Sequence, residues 1–243
     1  MKKKNSAWAA PLIVMGFALI FMNSCTVSKP VQKTTVITNN TVIPPSNTVT
    51  DIDGNVYHTV KIGTQVWMAE NLKTTRYNDG TSIPLVTSGS AWASLTTPGY
   101  CFYDNDATVN KATYGAMYNW YTVSTGKLCP RGWHVPSDIE WTTLTNYLGG
   151  ENAAGGKLKE TGMSHWGTTN DGANNSSGFT ALPAGYRQDD GSFYNINDDD
   201  MWWSSTENNP RGAWGRNVNY NYNYVTKDSY NKNYGFSVRC IKD

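Results

Sequence analysis

Charge is scarce in this 243-residue chain: Asp, Glu, Lys and Arg make up only 16 % of it and nearly cancel, leaving a formal net charge of +1. Beyond Lys2, Lys3 and Lys4 there is no basic block, so the electrostatic footprint that nucleic-acid binding requires is missing. No G-x-S-x-G elbow is written, and the three histidines, His58, His134 and His165, fall in separate segments. Gly155-Gly156-Lys157 lacks the rest of a phosphate-cradling loop. None of the 19 acids stands at a spacing that singles out a glycosidase pair. Cysteine is equally sparse. Cys25, Cys101, Cys129 and Cys240 lie too far apart for a CxxC redox pair or a compact zinc knuckle.

What is present begins at the N-terminus. Lys2–Lys4 precede an almost wholly apolar run from Ala7 to Met22, followed by Ser24-Cys25, which is the plan of a secretory signal peptide. The small residue before a cysteine resembles the lipobox of bacterial lipoproteins. That resemblance implies cleavage after residue 24 and acylation of Cys25, and several acyl chains anchor far more firmly than one. Residues 1–24 carry three lysines and no acid, so their loss takes the formal charge from +1 to −2. Residues 25–49, rich in Thr, Asn, Val and Pro, read as a flexible tether. One domain, 50–243, follows. The expected location is the cell envelope, on the outer membrane, with either face open. An oxidising compartment makes a disulfide the default for the remaining cysteines. Cys129 and Cys240 both sit in strand-like runs and form the favoured pair, with Cys101–Cys240 as the alternative.

Along the domain, "TVTDIDGNVYHTVKIGTQVWM" alternates like a meander of short strands. Asp51-x-Asp53-Gly54-Asn55 reads as its hairpin turn, because Ile62 stands where an EF-hand loop needs its closing acid. Tyr114, Met117, Tyr118 and Tyr121 recur at helical spacing and predict a core-facing helix through "KATYGAMYNWYTV". Ser137-x-x-Glu140 is a capping box that opens a helix running to about Leu148. "AAGGKLKETG" adds a helical turn or two. Short strands and long loops fill the rest, with "NVNYNYNYV" as an edge strand or hairpin arm. The expected fold class is α+β, two main helices on a twisted antiparallel sheet.

Seven ordered blocks carry a family resemblance: "TDIDGNVYHTVKIGTQVWMAENLKTTRYNDG", "KATYGAMYNWYTV", "LCPRGWHVPSDIEW", "LGGENAAGGKLKETG", "GFTALPAGYR", "WWSSTE" and "GFSVRCIKD". Together they resemble the Fibrobacter succinogenes major paralogous domain of exported Bacteroidetes and Fibrobacteres proteins, over residues 50–243. The resemblance implies fold and export, and no established activity. More distantly, "WHVPSDIEW" and "GFSVRC" are similar to the formylglycine-generating enzyme group, which implies a C-type-lectin-like fold. Cys240 has no cysteine neighbour, so that group's oxidase chemistry is not expected. Glu207-Asn208-Asn209-Pro210 and Trp214-Gly215-Arg216 depart from the sugar-binding motifs of calcium-dependent lectins.

Two polar clusters remain as candidates. Asp198, Asp199 and Asp200 offer the hard oxygen ligands that calcium takes, against the plainer reading of a solvated acidic loop. Trp202, Trp203, Glu207, Arg211, Trp214 and Arg216 combine aromatic faces with charge, which suits a sugar ring or a peptide. Successive strand residues point to opposite faces, so one of Trp202 and Trp203 is expected in the core and the other outside. In "LCPRGWHVPSDIEW" only Arg131 and His134 lack a structural task. The leading functional expectation is a non-catalytic, lipid-anchored envelope module that binds glycan or protein. An envelope glycan hydrolase and a purely structural surface protein are the alternatives.

Overall fold

A computed structural model describes residues 47–167 and 169–243, so the expected signal peptide, Cys25 and nearly all of the expected tether lie outside the described residues. Twelve strands and five short helices alternate along the described chain. β1 (Thr48–Thr50), β2 (Val56–Ile62) and β3 (Gln65–Met68) form the expected meander. α1 (Gly89–Ala93), β4 (Tyr100–Cys101), α2 (Ala107–Tyr114), β5 (Met117–Tyr118), α3 (Trp120–Val123) and β6 (Trp133–His134) follow. Next come α4 (Asp138–Tyr147) and α5 (Glu151–Leu158). The chain closes with β7 (Ala184–Arg187), β8 (Phe193–Ile196), β9 (Asp199–Asn209), β10 (Gly212–Asn219), β11 (Thr226–Asn231) and β12 (Ile241–Lys242). The class is α+β, as expected. The single antiparallel sheet is not what forms: there are two five-stranded sheets, ordered β1-β2-β3-β12-β6 and β11-β10-β9-β7-β8, and a two-stranded β4-β5 pair. The β7–β9 contact is parallel.

Local chemistry explains the parts that the sequence announces. Asp51 closes the β1–β2 turn, its carboxylate accepting from the N–H groups of Asp53 and Asn55 at 2.9 Å each and from the Tyr57 hydroxyl at 2.6 Å. At α4, Ser137 Oγ accepts the Glu140 N–H at 3.3 Å, and the Glu140 carboxylate accepts the Ser137 N–H at 2.8 Å. Both halves of the capping box are therefore made. Cys129 and Cys240 are bonded, their Cα atoms 6.0 Å apart, and tie the segment before β6 to the one leading into β12. Cys101 is buried and unpaired. His134 also has a structural task. Its two ring nitrogens lie 2.9 Å from Glu140 and 2.7 Å from Asp243. Partial burial would lower its pKa, but these hydrogen bonds outweigh it and raise the value.

The helix expected through "KATYGAMYNWYTV" does not form as one element. α2 stops at Tyr114 because Gly115 takes φ 82° and its backbone lies against Leu72, where an added Cβ would meet the Leu72 carbonyl oxygen at 2.8 Å. Met117 and Tyr118 then become β5, and the chain turns helical again only at α3. The apolar spacing thus serves two helices and a strand that share one core. In α5 a close approach explains Gly155: a Cβ there would collide with the carbonyl of Tyr224, in the β10–β11 connection.

Two large cores hold the sheets. One gathers Tyr118, Trp120, Trp203, Phe236, Val238 and the disulfide. The other packs α4 and α5 through Trp141, Leu144 and Leu158 onto Trp67, Phe179 and Trp202. Ring centroids stand 4.9 Å apart for Trp67–Trp141 and 5.7 Å for Trp141–Trp202. Each such pair contributes about 1 kcal/mol beyond its buried area. Among the described residues, no helix is long and apolar enough to cross a membrane.

Candidate functional site

The tryptophans expected to divide between core and surface are both fully buried, at 0 % exposure. The alternation holds, but β9 is covered on both faces at this point. Trp202 enters the core under α4, and its Nε1 donates to Asn71 Oδ1 at 3.0 Å. Trp203 enters the opposite core against Phe236, with ring centroids 4.4 Å apart, and donates to the Tyr118 carbonyl at 2.8 Å. Neither is available to a ligand. Arg216 is likewise buried, donating to Asp138 Oδ1 at 2.7 Å and so fastening β10 to the start of α4. Lys227 reaches the same carboxylate at 2.8 Å and covers the half-buried Trp214 ring at 4.4 Å. Glu207 pairs with Lys232 at 2.9 Å, and Arg211 is exposed in the β9–β10 turn. The six residues are therefore distributed between the core, a strand-to-helix tie and a separate turn, and they do not enclose one cleft.

The three aspartates do not converge either. Asp199 and Asp200 occupy successive positions of β9 and point to opposite faces. The carboxylate of Asp200 is fully buried beside Asn71, whereas Asp199 is surrounded by asparagine amides. Asp198 precedes the strand. A calcium site built from all three is excluded by this alternation.

The Asp199 face presents a different arrangement. Asn219 stands directly opposite Asp199 on β10, and Asn217 lies two residues before it. The Asp199 carboxylate accepts from Asn195 Nδ2 at 2.6 Å, Asn219 Nδ2 at 2.7 Å and Asn217 Nδ2 at 3.2 Å. Asn195 reaches it from a left-handed backbone conformation, φ 59°, that asparagine tolerates. Beside this amide-ringed carboxylate runs a row of tyrosines. Tyr194 on β8 pairs across to Tyr186 on β7, Tyr186 stacks on Tyr234, and Tyr234 meets Tyr230 on β11. Successive ring centroids are 6.0, 6.3 and 5.8 Å apart. Buried Phe236 supports Tyr186, Tyr230 and Tyr234 from below.

Tyr194 is 39 % exposed, and the other three tyrosines are half-buried. Burial, followed by the nearby Asp199 charge, raises the Tyr186 phenol above its ordinary pKa; burial also raises Tyr230 and Tyr234. These three therefore remain protonated donors at neutral pH. Among the described residues, none of these hydroxyls has a protein hydrogen-bond partner. Asp199 is itself buried and its carboxylate is engaged by the amides, so the exposed Tyr194 ring, the uncommitted hydroxyls and the asparagines are what can stack on a sugar ring and bind its hydroxyl groups. These tyrosines went unnoticed in the sequence because each stands in a different strand or loop. The alternating Tyr/Asn run flagged there ends at Tyr224, short of the row itself.

Comparison with known proteins gives one family. The model for the Fibrobacter succinogenes major domain matches residues 60–242. No curated protein and no solved structure matches the chain.

Proposed function

The chain belongs to the Fibrobacter succinogenes major domain family, and on that premise we propose that it is a non-catalytic envelope lipoprotein that binds glycan on the tyrosine face of its second sheet. The observation that carries this reading is the Tyr194–Tyr186–Tyr234–Tyr230 row with unspent hydroxyls beside the Asp199–asparagine cluster. Carbohydrate recognition needs flat apolar faces for the axial C–H groups and fixed polar groups for the hydroxyls, and both lie together here. The envelope assignment rests on Lys2–Lys4, the apolar run and Ser24-Cys25, with Cys25 acylated to the outer membrane. A C-type-lectin-like arrangement is the finer fold reading. It is supported by a capped α4 after β6 and by a C-terminal strand stapled back through Cys240.

The test is a glycan array probed with the purified full chain, followed by calorimetric titration of the best ligand. Tyr194→Ala and Asn217→Ala should each weaken binding at least tenfold without a change in circular dichroism. A folded chain that captures no glycan, or binding untouched by both variants, refutes the assignment. Cys25→Ser should release the protein from membranes, and a variant that stays membrane-bound sinks the lipoprotein reading.

A further inference from the structure

A second site lies where β2, the segment after β3 and the segment leading into β12 meet, away from the tyrosine row. It is a cavity of about 260 Å³. Arg239 and Asn71 line its interior, Ala69 and Leu182 give apolar wall, and His58 and Glu70 are its exposed members. This volume falls below the ~300 Å³ at which sites for drug-sized ligands begin, so it suits something smaller.

Arg239 is 1 % exposed and has no carboxylate partner. Its Nε donates to Asn71 Oδ1 at 2.6 Å, and Nη1 donates to the carbonyls of Met68 (3.4 Å) and Phe179. Nη2 donates to the Thr180 carbonyl at 3.0 Å. All four acceptors are neutral, and a guanidinium has five N–H groups. One donor on Nη2 is thus unspent. Among the described residues Arg239 forms no ion pair; the equally buried Arg216 has Asp138, whereas buried Arg187 and Lys159 are, like Arg239, held by neutral oxygens alone. A buried cation without a directly bonded counter-charge is costly.

The two acids whose charges reach Arg239 make no direct bond to it. Glu70 has both oxygens engaged by His58, one by its N–H at 2.8 Å and one by Nδ1 at 2.7 Å. Asp200 sits behind Asn71, fully buried, and burial pushes its carboxyl up to about 8, so it is mostly neutral at pH 7. Its Oδ1 has no hydrogen-bond partner among the described residues. Backbone strain marks the same place. Thr180, which lines the cavity, is held at φ 55°, where a β-branched residue is an outlier. Such strain costs on the order of 1–3 kcal/mol and gathers at ligand clamps. Here it points the Thr180 carbonyl at Arg239.

We propose that this cavity binds a small carboxylate, which takes the unspent Nη2 hydrogen of Arg239 and supplies the missing counter-charge. The carboxylate is either free or the acid group of a sugar; the chemistry read by Arg239 is the same, and the titration separates the two. The full chain is titrated with acetate, acetamide, D-glucuronate and D-glucose by calorimetry and ligand-observed NMR. Acetate should bind at least tenfold more tightly than its neutral isostere acetamide. Leu182→Trp, which adds bulk to the apolar wall of the cavity and leaves every polar lining residue unmutated, should weaken acetate binding at least tenfold at an unchanged melting temperature. Glucuronate binding tighter than acetate assigns an acidic sugar, and equal or weaker binding assigns a short free carboxylate. Equal affinities for acetate and acetamide overturn the proposal, as does acetate binding that survives Leu182→Trp. Tyr194→Ala should leave acetate binding intact, so failure here and failure of the glycan reading are separable.

Discussion

Replacing Asp200 by asparagine should make the protein's stability far less dependent on pH. Asp200 is 0 % exposed, accepts one side-chain bond from Asn71 Nδ2 at 3.2 Å and leaves Oδ1 unpartnered. Burial raises its pKa from 3.8 to about 8, against the opposing pull of Arg239. The sign follows from proton linkage. The folded state holds the proton over a range where the unfolded chain has lost it, so this stability is complete below about pH 4 and is lost as pH rises toward 8. The loss runs at about 1.4 kcal/mol per pH unit, on the order of 5 kcal/mol over the whole span. Asparagine keeps an oxygen for Asn71 and removes the titration. Urea unfolding at steps from pH 4.5 to 7.5 reads the effect. With a slope of about 2 kcal/mol/M, the wild-type midpoint should fall by roughly 2 M more than that of Asp200→Asn. Other groups act elsewhere on the scale. Asp53, Asp138 and Glu140 have lowered pKa values, so their contributions are complete above the ordinary carboxylate range and are lost only as pH falls below it. His134 has a raised value, and its contribution is lost only as pH climbs past 6.5. The interval from pH 5 to 6 therefore belongs to Asp200. Parallel curves for wild type and variant across that interval would refute the reasoning.

Three other outcomes are expected. Cys129→Ser opens a bridge spanning 111 residues, and loop-closure entropy puts the loss at about 4–5 kcal/mol; a urea-measured change under ~1 kcal/mol contradicts this. Lys159 Nζ donates to the carbonyls of Asp171, Asn219 and Tyr222 at 2.8, 3.0 and 2.7 Å, so Lys159→Met should cost about 3 kcal/mol and speed amide exchange around residues 219–222. An unchanged melting temperature would count against that role. Cys101 is fully buried, and burial pushes its thiol up to about 12, so in a Cys25→Ser background it should react with a thiol reagent only on unfolding. Rapid labelling of the native chain would disprove it.

Elements whose determinants lie within a few residues were legible in the sequence. Ser137 and Glu140 write the start of α4 because both halves of a capping box lie within one helical turn. Asp51 to Asn55 write a turn for the same reason. Cys129 and Cys240 carried enough strand character to be favoured, although only the folded chain brings them to 6.0 Å. The helix expected across Gly115 failed on a long-range contact. The 3.6-residue spacing of Tyr114, Met117 and Tyr118 is real, but the close approach of Leu72 to Gly115 breaks the helix.

By itself the sequence determined the α+β class, the capped helix, the β1–β2 turn and the family. Tertiary structure decided where polar chemistry reaches a surface. Strand alternation gives Trp202 and Trp203 opposite faces, but whether either face is open depends on what packs over it, and α4 and Phe236 cover both. The tyrosine row draws on β7, β8, β11 and the segment after β11, and the Arg239 cavity on residues 58 to 239. Neither leaves a local spacing to read, because each is assembled from positions that only the pairing of distant strands makes neighbours.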